Sequence, residues 1–191
     1  LRLDGTDVRE LNLDDLRRTL GYVPQDSFLF SEPFHENIRF GADEDLSDER
    51  VEELLRQSVL TEEVAAFPEG VQTLVGERGV TLSGGQRQRA CIARALARNP
   101  RVLILDDCLS AVDSETEKTL IGHLQREGRG RTVLIAAHRL STVARADQIL
   151  VLTGTGAVEA VGTHAELVAR PGWYQDTWNQ QQSLHDLEDQ A

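Results

Sequence analysis

The sequence predicts an α/β fold with a mainly parallel sheet flanked by helices. The first observation is a set of four strand-like runs, at 20–25, 101–107, 132–138 and 148–153. The last three are apolar almost throughout, which is typical of strands covered on both faces of a parallel sheet. The second observation is that helix-like stretches lie between and after these runs, at 49–60, 86–99, 114–127 and 163–169. Strands that alternate with helices along a chain favour this fold class.

Composition and charge limit the classes of partner. The 191 residues include 20 basic and 32 acidic side chains, and the net charge of -12 disfavours long-range attraction to nucleic acid or anionic lipid. No apolar run approaches the roughly 18 residues that a membrane-spanning helix needs. Cys91 and Cys108 lack the spacing of metal ligands, so we expect two small, buried hydrophobic residues in a reducing compartment.

The first 41 residues contain two strand-like segments and a loop rich in phenylalanine. The chain opens on "LRLDG", a strand-like segment followed by a turn glycine, and it contains no Met, which suggests a fragment of a longer protein. The strand at 20–25 breaks at a proline. The loop 26–41 then contains Phe28, Phe30, Phe34 and Phe40. Phenylalanines in a loop with Gly and Pro more often cover a core than form a cofactor site.

The stretch "LSGGQRQR" (82–89) opens the second helix-like segment. Ser83 and Gln86 have the spacing of a capping box, which predicts a helix start here. Two consecutive glycines each cost helix stability, about 1 kcal/mol relative to alanine, and are expected where something approaches the backbone closely. A helix N-terminus with free N–H groups and a serine hydroxyl suits the oxygens of a phosphate.

Three polar residues lie at the carboxyl ends of predicted strands. Asp106 and Asp107 end the run "RVLILDD", and His138 ends the run "TVLIAAH". Ligands of open α/β sheets bind at this edge, so these residues are the first candidates for chemistry. At the far end of the chain, 173–191, we expect a polar helix that fades into an acidic tail, with Trp173, Tyr174 and Trp178 docking its start.

Together these motifs resemble the nucleotide-binding domain of an ABC transporter. "LSGGQ" (Leu82, Ser83, Gly84, Gly85 and Gln86) is similar to the family's signature, and Gln25 in "VPQD" to its Q-loop glutamine. Asp106 matches the Walker B aspartate, "SAVD" (110–113) the D-loop and His138 the switch histidine. "GERG" (76–79) and "VGTHAEL" (161–167) match two further segments. The likeness covers nearly the whole chain and looks closest to one half of bacterial heterodimeric multidrug exporters.

The resemblance implies a P-loop NTPase of the ABC type, with a helical subdomain at approximately 33–97 that carries the signature. It implies an ATP-binding domain at 1–172, followed by the C-terminal helix and tail. No G-x-x-x-x-G-K-[ST] phosphate loop occurs in the 191 residues. In the family that loop precedes a segment like "LRLDG", so we expect it upstream of residue 1. The intact protein is then expected to bind ATP, and these residues alone to bind it poorly.

The resemblance also assigns roles within the site. Asp106 is expected to hold Mg²⁺, Gln25 to reach Mg²⁺ or the attacking water, and His138 to contact the γ-phosphate. Asp107 stands where the family usually has a glutamate that polarises the attacking water. Its side chain is shorter by one methylene, about 1 Å, a misplacement that can cost about a hundredfold in rate. Two interpretations stay open: a slow base, or a site that rarely hydrolyses ATP while a partner's site is efficient.

The implied partners follow from the same resemblance. Two domains pair head to tail around ATP, so Leu82–Gln86 would complete a partner's site, and Ser110–Asp113 would run along the interface. The partner is expected to be a different subunit. The loop 26–41, with Glu77 and Arg78, is expected to meet the coupling helices of a transmembrane domain at the cytoplasmic face of the inner membrane. The implied function is ATP-driven efflux of drugs or lipophilic compounds, with no nucleic acid bound.

Two alternatives are weighed against this function. ABC-type ATPases of DNA repair share the signature and the acid pair but normally insert a long coiled coil between the Q-loop and the signature. Here the gap from Gln25 to Leu82 shows no heptad run. The other alternative is a truncated, non-hydrolytic domain that only folds and docks to a partner.

Overall fold

The computed structural model describes residues 1–42, 45–76, 79–127 and 130–188. The strands of the described residues are β1 (Arg2–Leu3), β2 (Thr6–Asp7), β3 (Leu20–Val23), β4 (Val102–Asp106), β5 (Thr132–Ala136), β6 (Ile149–Leu152) and β7 (Val158–Gly162). The α-helices are α1 (Leu13–Thr19), α2 (Phe34–Arg39), α3 (Asp48–Gln57), α4 (Thr61–Ala65), α5 (Gly84–Ala97), α6 (Ser114–Glu127), α7 (Leu140–Val143), α8 (His164–Val168) and α9 (Trp173–Glu188).

The predicted parallel sheet is formed by three strands in the order β3-β4-β5. Tyr22 on β3 pairs with Ile104 on the central strand, which pairs in turn with Leu134 on β5. Parallel pairing brings the carboxyl ends of the three strands to one edge, where β4 ends at Asp106. The fourth predicted strand, β6, belongs instead to an antiparallel hairpin with β7, which the sequence analysis did not identify.

The two faces of the parallel sheet differ in exposure. Leu103 and Leu105 are completely buried, whereas Tyr22 and Leu134 are 55% and 53% exposed on the opposite face. The expectation that both faces are covered is therefore wrong for the described residues. Apolar side chains on both faces of a strand show only that each face tolerates burial. They do not show which element covers it.

Helix α5 lies at the centre of the main core. It packs against α2, α3 and β3, and its Ile92 and Leu96 are almost completely buried. The helix is 14 residues long and begins at the predicted capping box. Four shorter helices escaped sequence analysis: α1, α2, α4 and α7. Each has seven residues or fewer, too few turns to show a 3.6-residue period.

The chain forms two compact units, Leu1–Ala136 and Ala137–Ala191. The first contains the parallel sheet and helices α1 to α6. The second has a small core of its own, formed by Leu140, Ile149, Val151, Leu167 and Tyr174. These units do not coincide with the predicted boundary at 172/173, so that boundary and the helical subdomain at 33–97 stay predictions. None of the helices in the described ranges combines the length and apolar composition that crossing a membrane requires.

The predicted C-terminal helix is present as α9, and its start docks in part. Tyr174 is buried and its hydroxyl lies 2.9 Å from His164 Nδ1, and the Trp178 ring lies 4.4 Å from the His164 ring. Trp173 is 52% exposed, so the expectation that it docks is wrong. It is the first residue of the helix. Residues 189–191 of the tail lie outside the described residues.

Candidate active site

The acid pair lies at the sheet edge, as predicted. Asp106 is the last residue of β4, and Asp107 follows it directly; both are half-buried. The Tyr22 hydroxyl donates to Asp106 Oδ2 over 3.0 Å. This hydrogen bond is the main cause of the raised pKa of Tyr22, because ionised tyrosine could no longer donate. Sequence analysis missed Tyr22, although its place on a neighbouring strand puts it on the same face as Asp106.

Asp107 adopts an unusual backbone conformation that aims it at the Q-loop glutamine. Its φ is +46°, a region that aspartate tolerates better than most residues. Its N–H donates to the Ala136 carbonyl over 2.8 Å, which anchors it to the end of β5. The Gln25 amide donates to Asp107 Oδ2 over 3.4 Å. The structure therefore brings Gln25, Asp106 and Asp107 together at one edge of the sheet.

The turn from Ser110 to Asp113 follows the acid pair and ends in a helix cap. The Ser110 hydroxyl donates to the carbonyl of Asp107 over 3.2 Å. Asp113 accepts from the Thr116 N–H over 2.9 Å and so caps the first turn of α6. That backbone hydrogen bond is the main cause of the lowered pKa of Asp113. Both side chains are committed to holding the turn in shape.

The signature residues form the capped helix start that their spacing indicates. The Ser83 hydroxyl oxygen accepts from the Gln86 N–H over 3.1 Å, and Gln86 Oε1 accepts from the Ser83 N–H over 2.9 Å. Within the described residues, no acceptor is found for the N–H groups of Gly84 and Gly85. The Ser83 hydroxyl proton also stays available. Ser83 is exposed and Gly84 half-buried, whereas Gly85 is buried. The Ser83 hydroxyl and the Gly84 N–H are therefore the accessible donors at this helix N-terminus, an arrangement suited to phosphate oxygens.

The neighbours of the signature glycines show a second reason for glycine. A Cβ at Gly85 would lie 2.8 Å from the carbonyl oxygen of Ala111, and a Cβ at Gly84 would lie 3.0 Å from the Ala111 Cβ. Leu82, just before them, is buried. The glycine pair thus lets the start of α5 pack closely on the Ser110–Asp113 turn, in addition to any approach by phosphate.

A buried glutamine that sequence analysis passed over joins these two segments. Gln88 is only 6% exposed, and its amide contacts both Ser110 and Ala111. The signal was present in the sequence, because Gln88 lies three residues after Gly85 and four before Ile92. A polar residue on the buried stripe of a helix needs hydrogen-bond partners.

His138 lies in the second unit, two residues after the end of β5. Its side chain is exposed, and its carbonyl accepts from the Gln181 amide over 3.0 Å. Gln181 Oε1 also accepts from the Leu140 N–H over 2.9 Å. Helix α9 therefore holds the backbone on both sides of Arg139. The role of His138 toward a γ-phosphate stays a prediction.

Some phenylalanines of the loop 26–41 are buried in the core, and others are exposed, as a contact with a partner would require. Phe34 is completely buried, whereas Phe28 and Phe40 are 63% and 68% exposed. Phe30 lies between these two, 5.1 Å from the ring of Phe28 and 4.6 Å from that of Phe40. Phe30 and Phe40 line a groove of about 890 Å³, which also includes Glu32, Glu36, Asn37 and Asp45. Glu77 and Arg78 lie outside the described residues.

Arg94 of α5 holds this aromatic group in place. Its guanidinium donates to the Phe28 carbonyl over 2.9 Å and to both the carbonyl and side-chain oxygens of Asn37 over 2.8 Å. It also lies 5.5 Å and 5.9 Å from the ring centres of Phe30 and Phe40, close enough for cation–π attraction. The same helix that presents the signature thus supports one wall of the groove.

Both cysteines are buried and free, as expected for structural thiols. Burial raises the pKa of Cys108 from 9.0 to about 12. Burial also raises the pKa of Cys91, although Arg94 opposes the effect. Neither residue has the lowered pKa that a reactive thiol needs.

The acid pair fits a magnesium ion shared with phosphate groups. No cluster of three or more His, Cys, Asp or Glu that could enclose a metal occurs among the described residues. Mg²⁺, however, is usually held by one or two carboxylates together with water and substrate phosphates. Asp106 supplies one carboxylate at the sheet edge, and among the described residues the Tyr22 hydroxyl donates to one of its two oxygens. The residues present are therefore sufficient for a nucleotide-linked ion.

Comparison with known proteins identifies the family to which the chain is similar. The family profile described as ABC transporter matches residues 1–110. The chain is 45% identical, over 95% of its length, to the probable multidrug resistance ABC transporter ATP-binding/permease protein YheI of Bacillus subtilis (strain 168) and covers 31% of that protein. It is 49% identical, over 91% of its length, to the mitochondrial potassium channel ATP-binding subunit of Mus musculus and covers 24% of it.

A solved structure agrees with these relatives. A bacterial Atm1-family ABC exporter with ATP bound matches 93% of the chain at a TM-score of 0.87 and 40% identity, and the match covers 31% of that exporter. The chain thus spans less than a third of each of these three proteins. The predicted fold class, an α/β P-loop NTPase of the ABC type, is confirmed. Because the profile matches more than half of the chain, the chain belongs to the ABC transporter family.

Proposed function

We propose that this chain is the ATP-binding and ATP-hydrolysing domain of an exporter that drives efflux of drugs or lipophilic compounds. The observation that carries the proposal is the convergence of Gln25, Asp106 and Asp107 at the carboxyl edge of the parallel sheet. A phosphoryl-transfer site needs charged and polar groups held in position more than it needs covalent chemistry. The names of the exporters that the chain resembles support the assignment to efflux.

In this proposal the side chains at the sheet edge divide the work. Asp106 and Gln25 would hold Mg²⁺, which supplies neutralisation of the phosphate charge when bound. Asp107 would orient the attacking water and accept its proton. Gln25 donates to Asp107 Oδ2 over 3.4 Å, a contact that would help to orient that carboxylate. His138 would contact the γ-phosphate.

The short side chain of Asp107 makes the site slow. The positive φ and the hydrogen bond to Ala136 hold the Asp107 backbone at the end of the sheet, so it cannot advance to replace the missing methylene. A carboxylate withdrawn by about 1 Å lowers the rate by about a hundredfold. We therefore infer slow hydrolysis at this site.

The signature of this chain serves a second nucleotide. Ser83 and Gly84 lie at the accessible start of α5, and the signature would complete the site of another nucleotide-binding domain paired head to tail. ATP would join the two domains because its phosphates satisfy donors on both sides, and hydrolysis would loosen the pair. The short side chain at Asp107 favours a different subunit as partner, with an efficient site completed by this intact signature.

The groove beside Phe30 and Phe40 is the proposed seat of the coupling helices of a transmembrane domain. Exposed aromatic rings on an otherwise acidic chain are expected at an interface. The assembled protein would place this domain at the cytoplasmic face of the inner membrane. Three short helices, α2 to α4, lie between Gln25 and the signature. They give no support to the DNA-repair alternative, which would place a long coiled coil there.

The test is Asp107→Glu in the intact, assembled protein. In an assembly whose partner site has been disabled, restoring the methylene is expected to raise steady-state ATP hydrolysis tenfold or more, and Asp107→Asn is expected to lower it. Both variants should be checked by thermal unfolding, because glutamate tolerates a positive φ less well than aspartate. An unchanged rate in a well-folded Asp107→Glu variant would contradict the slow-site assignment. A wild-type protein without any Mg-ATP hydrolysis would contradict the proposed function.

A further inference from the structure

We propose that Gln88 is a positioning residue that locks the signature to the Asp107–Asp113 turn, so that the two half-sites of this chain move as one body. This inference rests on the proposed function, in which the signature serves one nucleotide and Asp107 serves the other. It adds a link inside a single chain between the two nucleotide sites.

Both ends of the Gln88 amide are used in that link. Its Nε2 donates to the Ser110 hydroxyl oxygen over 3.2 Å, and its Oε1 accepts from the Ala111 N–H over 3.0 Å. The residue is 6% exposed. A buried amide costs free energy unless it is hydrogen-bonded, so these two bonds hold the side chain in a single arrangement.

The link continues from Ser110 to the backbone of Asp107. The Ser110 hydroxyl donates its proton to the Asp107 carbonyl over 3.2 Å, while its oxygen accepts from Gln88. The Asp107 N–H donates to Ala136 over 2.8 Å. Asp107 is therefore held on one side by the sheet and on the other by a two-bond chain that ends on α5.

Close packing makes this joint stiff. The backbone at Gly85 approaches the Ala111 carbonyl so closely that an added Cβ would lie 2.8 Å from its oxygen. Since neither segment has room to slide toward the other, a shift of the signature is transmitted to the turn. Gln88 lies one helical turn beyond Gly85 and prevents the two segments from separating. Packing resists approach, and the amide resists separation.

The consequence concerns both nucleotides. When phosphate engages the donors at Ser83 and Gly84, the start of α5 is held in position, and through Gln88 and Ser110 so is the backbone of Asp107. Loss of the amide would leave each half-site formed but poorly aligned with the other. The expected result of that loss is a lower turnover number for ATP hydrolysis, with nucleotide affinity nearly unchanged.

The test compares Gln88→Leu with Gln57→Leu in the intact, assembled protein. Gln57 is a matched control, because it is 8% exposed and its amide donates to Glu53 on α3, away from the site. Both variants are expected to lower the unfolding temperature. Only Gln88→Leu is expected to lower kcat, by tenfold or more, while the Kd for a fluorescent ATP analogue with Mg²⁺ changes less than threefold.

Two further variants sharpen the result. Gln88→Glu retains the acceptor for Ala111, but its second oxygen would accept the Ser110 hydroxyl proton and draw it away from Asp107, so it is expected to lower kcat as Gln88→Leu does. It also replaces Gln88→Leu if that variant fails to fold. Ser110→Ala should lower kcat in the wild-type background and add little to Gln88→Leu, because the two changes break the same chain of bonds.

Two results would overturn the inference. If the Gln88 and Gln57 variants lose stability alike and keep wild-type kcat, Gln88 is only a packing residue, and the proposed function stands. If Ser110→Ala and Gln88→Leu are fully additive, they do not act through one link. A wild-type protein that hydrolyses no ATP would remove the proposed function itself, a separate outcome.

Discussion

Asp107 illustrates how a single residue is shaped by its backbone. Its positive φ places the side chain beside the Gln25 amide, whereas Asp106, one residue earlier, belongs to the strand and meets Tyr22. Consecutive carboxylates thus reach different partners because the chain changes direction between them. Aspartate is among the residues that tolerate this conformation, so the short side chain suits the turn even though it withdraws the charge.

Cys108, the next residue, is expected to make the stability of the fold depend on pH under alkaline conditions. Burial raises its pKa from 9.0 to about 12 in the folded chain. The folded state therefore favours the neutral thiol. Its contribution to stability is complete below pH 9 and is lost as the pH rises from 9 toward 12. We expect the free energy of unfolding to fall over this range, less steeply in Cys108→Ala than in wild type, as measured by urea unfolding at successive pH values.

The comparison with Cys108→Ala is needed because other groups titrate in the same range. The pKa values of Cys91 and Tyr174 are also raised by burial. The difference between the two proteins isolates the contribution of Cys108. Identical slopes above pH 9 would show that this thiol ionises as easily in the folded chain as in the unfolded one.

At the scale of elements, α5 joins more functional parts than any sequence motif suggests. Its N-terminus carries the signature, its second turn holds the Ser110–Asp113 turn through Gln88, and its fourth turn holds the aromatic wall of the groove through Arg94. A helix is a stiff rod, so these three regions keep a fixed spacing along it. This is the element through which the proposed coupling-helix groove and the signature would communicate.

Alanine substitutions at a glycine of α5 and at a glycine of α6, the next helix in the chain, are expected to change stability in opposite directions. Gly85→Ala is expected to lower the free energy of unfolding by about 1–3 kcal/mol, because the new Cβ would collide with the Ala111 carbonyl. Gly122 lies inside α6, and a Cβ there meets nothing within 4 Å. Gly122→Ala is therefore expected to raise the free energy of unfolding by about 0.5–1 kcal/mol.

Chemical denaturation of both variants provides the measurement. Gly84→Ala, whose Cβ would lie 3.0 Å from that of Ala111, should fall between them. Equal stability of the Gly85 and Gly122 variants would mean that the helix start does not pack on the turn as described.

At the scale of the whole molecule, the proposed function gives the chain parts of two sites and all of neither. The sheet edge contributes Asp106 and Asp107, the helix start contributes the signature, and no phosphate-loop sequence occurs in the 191 residues. In the proposed function most of the phosphate-binding donors would come from outside this stretch. Each half-site alone would then make few contacts to a triphosphate.

This leads to a prediction about nucleotide binding. These 191 residues on their own are expected to bind Mg-ATP weakly, with a Kd above about 1 mM, which corresponds to less than about 4 kcal/mol of binding free energy. Isothermal titration of the folded chain, with the intact protein as the positive control, measures this. Tight binding by the 191 residues would show that the phosphate-loop donors are dispensable, and it would favour a different arrangement of the site. Absence of binding to the intact protein as well would favour the non-hydrolytic alternative.

Local pattern was sufficient to predict the fold class, the strands that carry the acid pair and the capped start of α5. Each of these depends on neighbours in the chain: a buried strand is apolar along its length, and a capping box spans four residues. The short helices and the uncovered sheet face were not predictable in this way. The short helices form, and a sheet face is covered, according to which other elements pack against them. A local sequence pattern carries no information about that packing.

What the sequence by itself determined is therefore which groups are available and in which elements they lie. Only the tertiary structure decided which of them meet: Tyr22 with Asp106 across 84 residues, Arg94 with Asn37 across 57, and Gln88 with Ser110 across 22. The physical reason is that a hydrogen bond is set by distance and direction in space, whereas periodicity reports only which face a residue occupies. Which faces pack together is set only when the core forms around α5, and the contact between the signature helix and the turn after the acid pair forms with it.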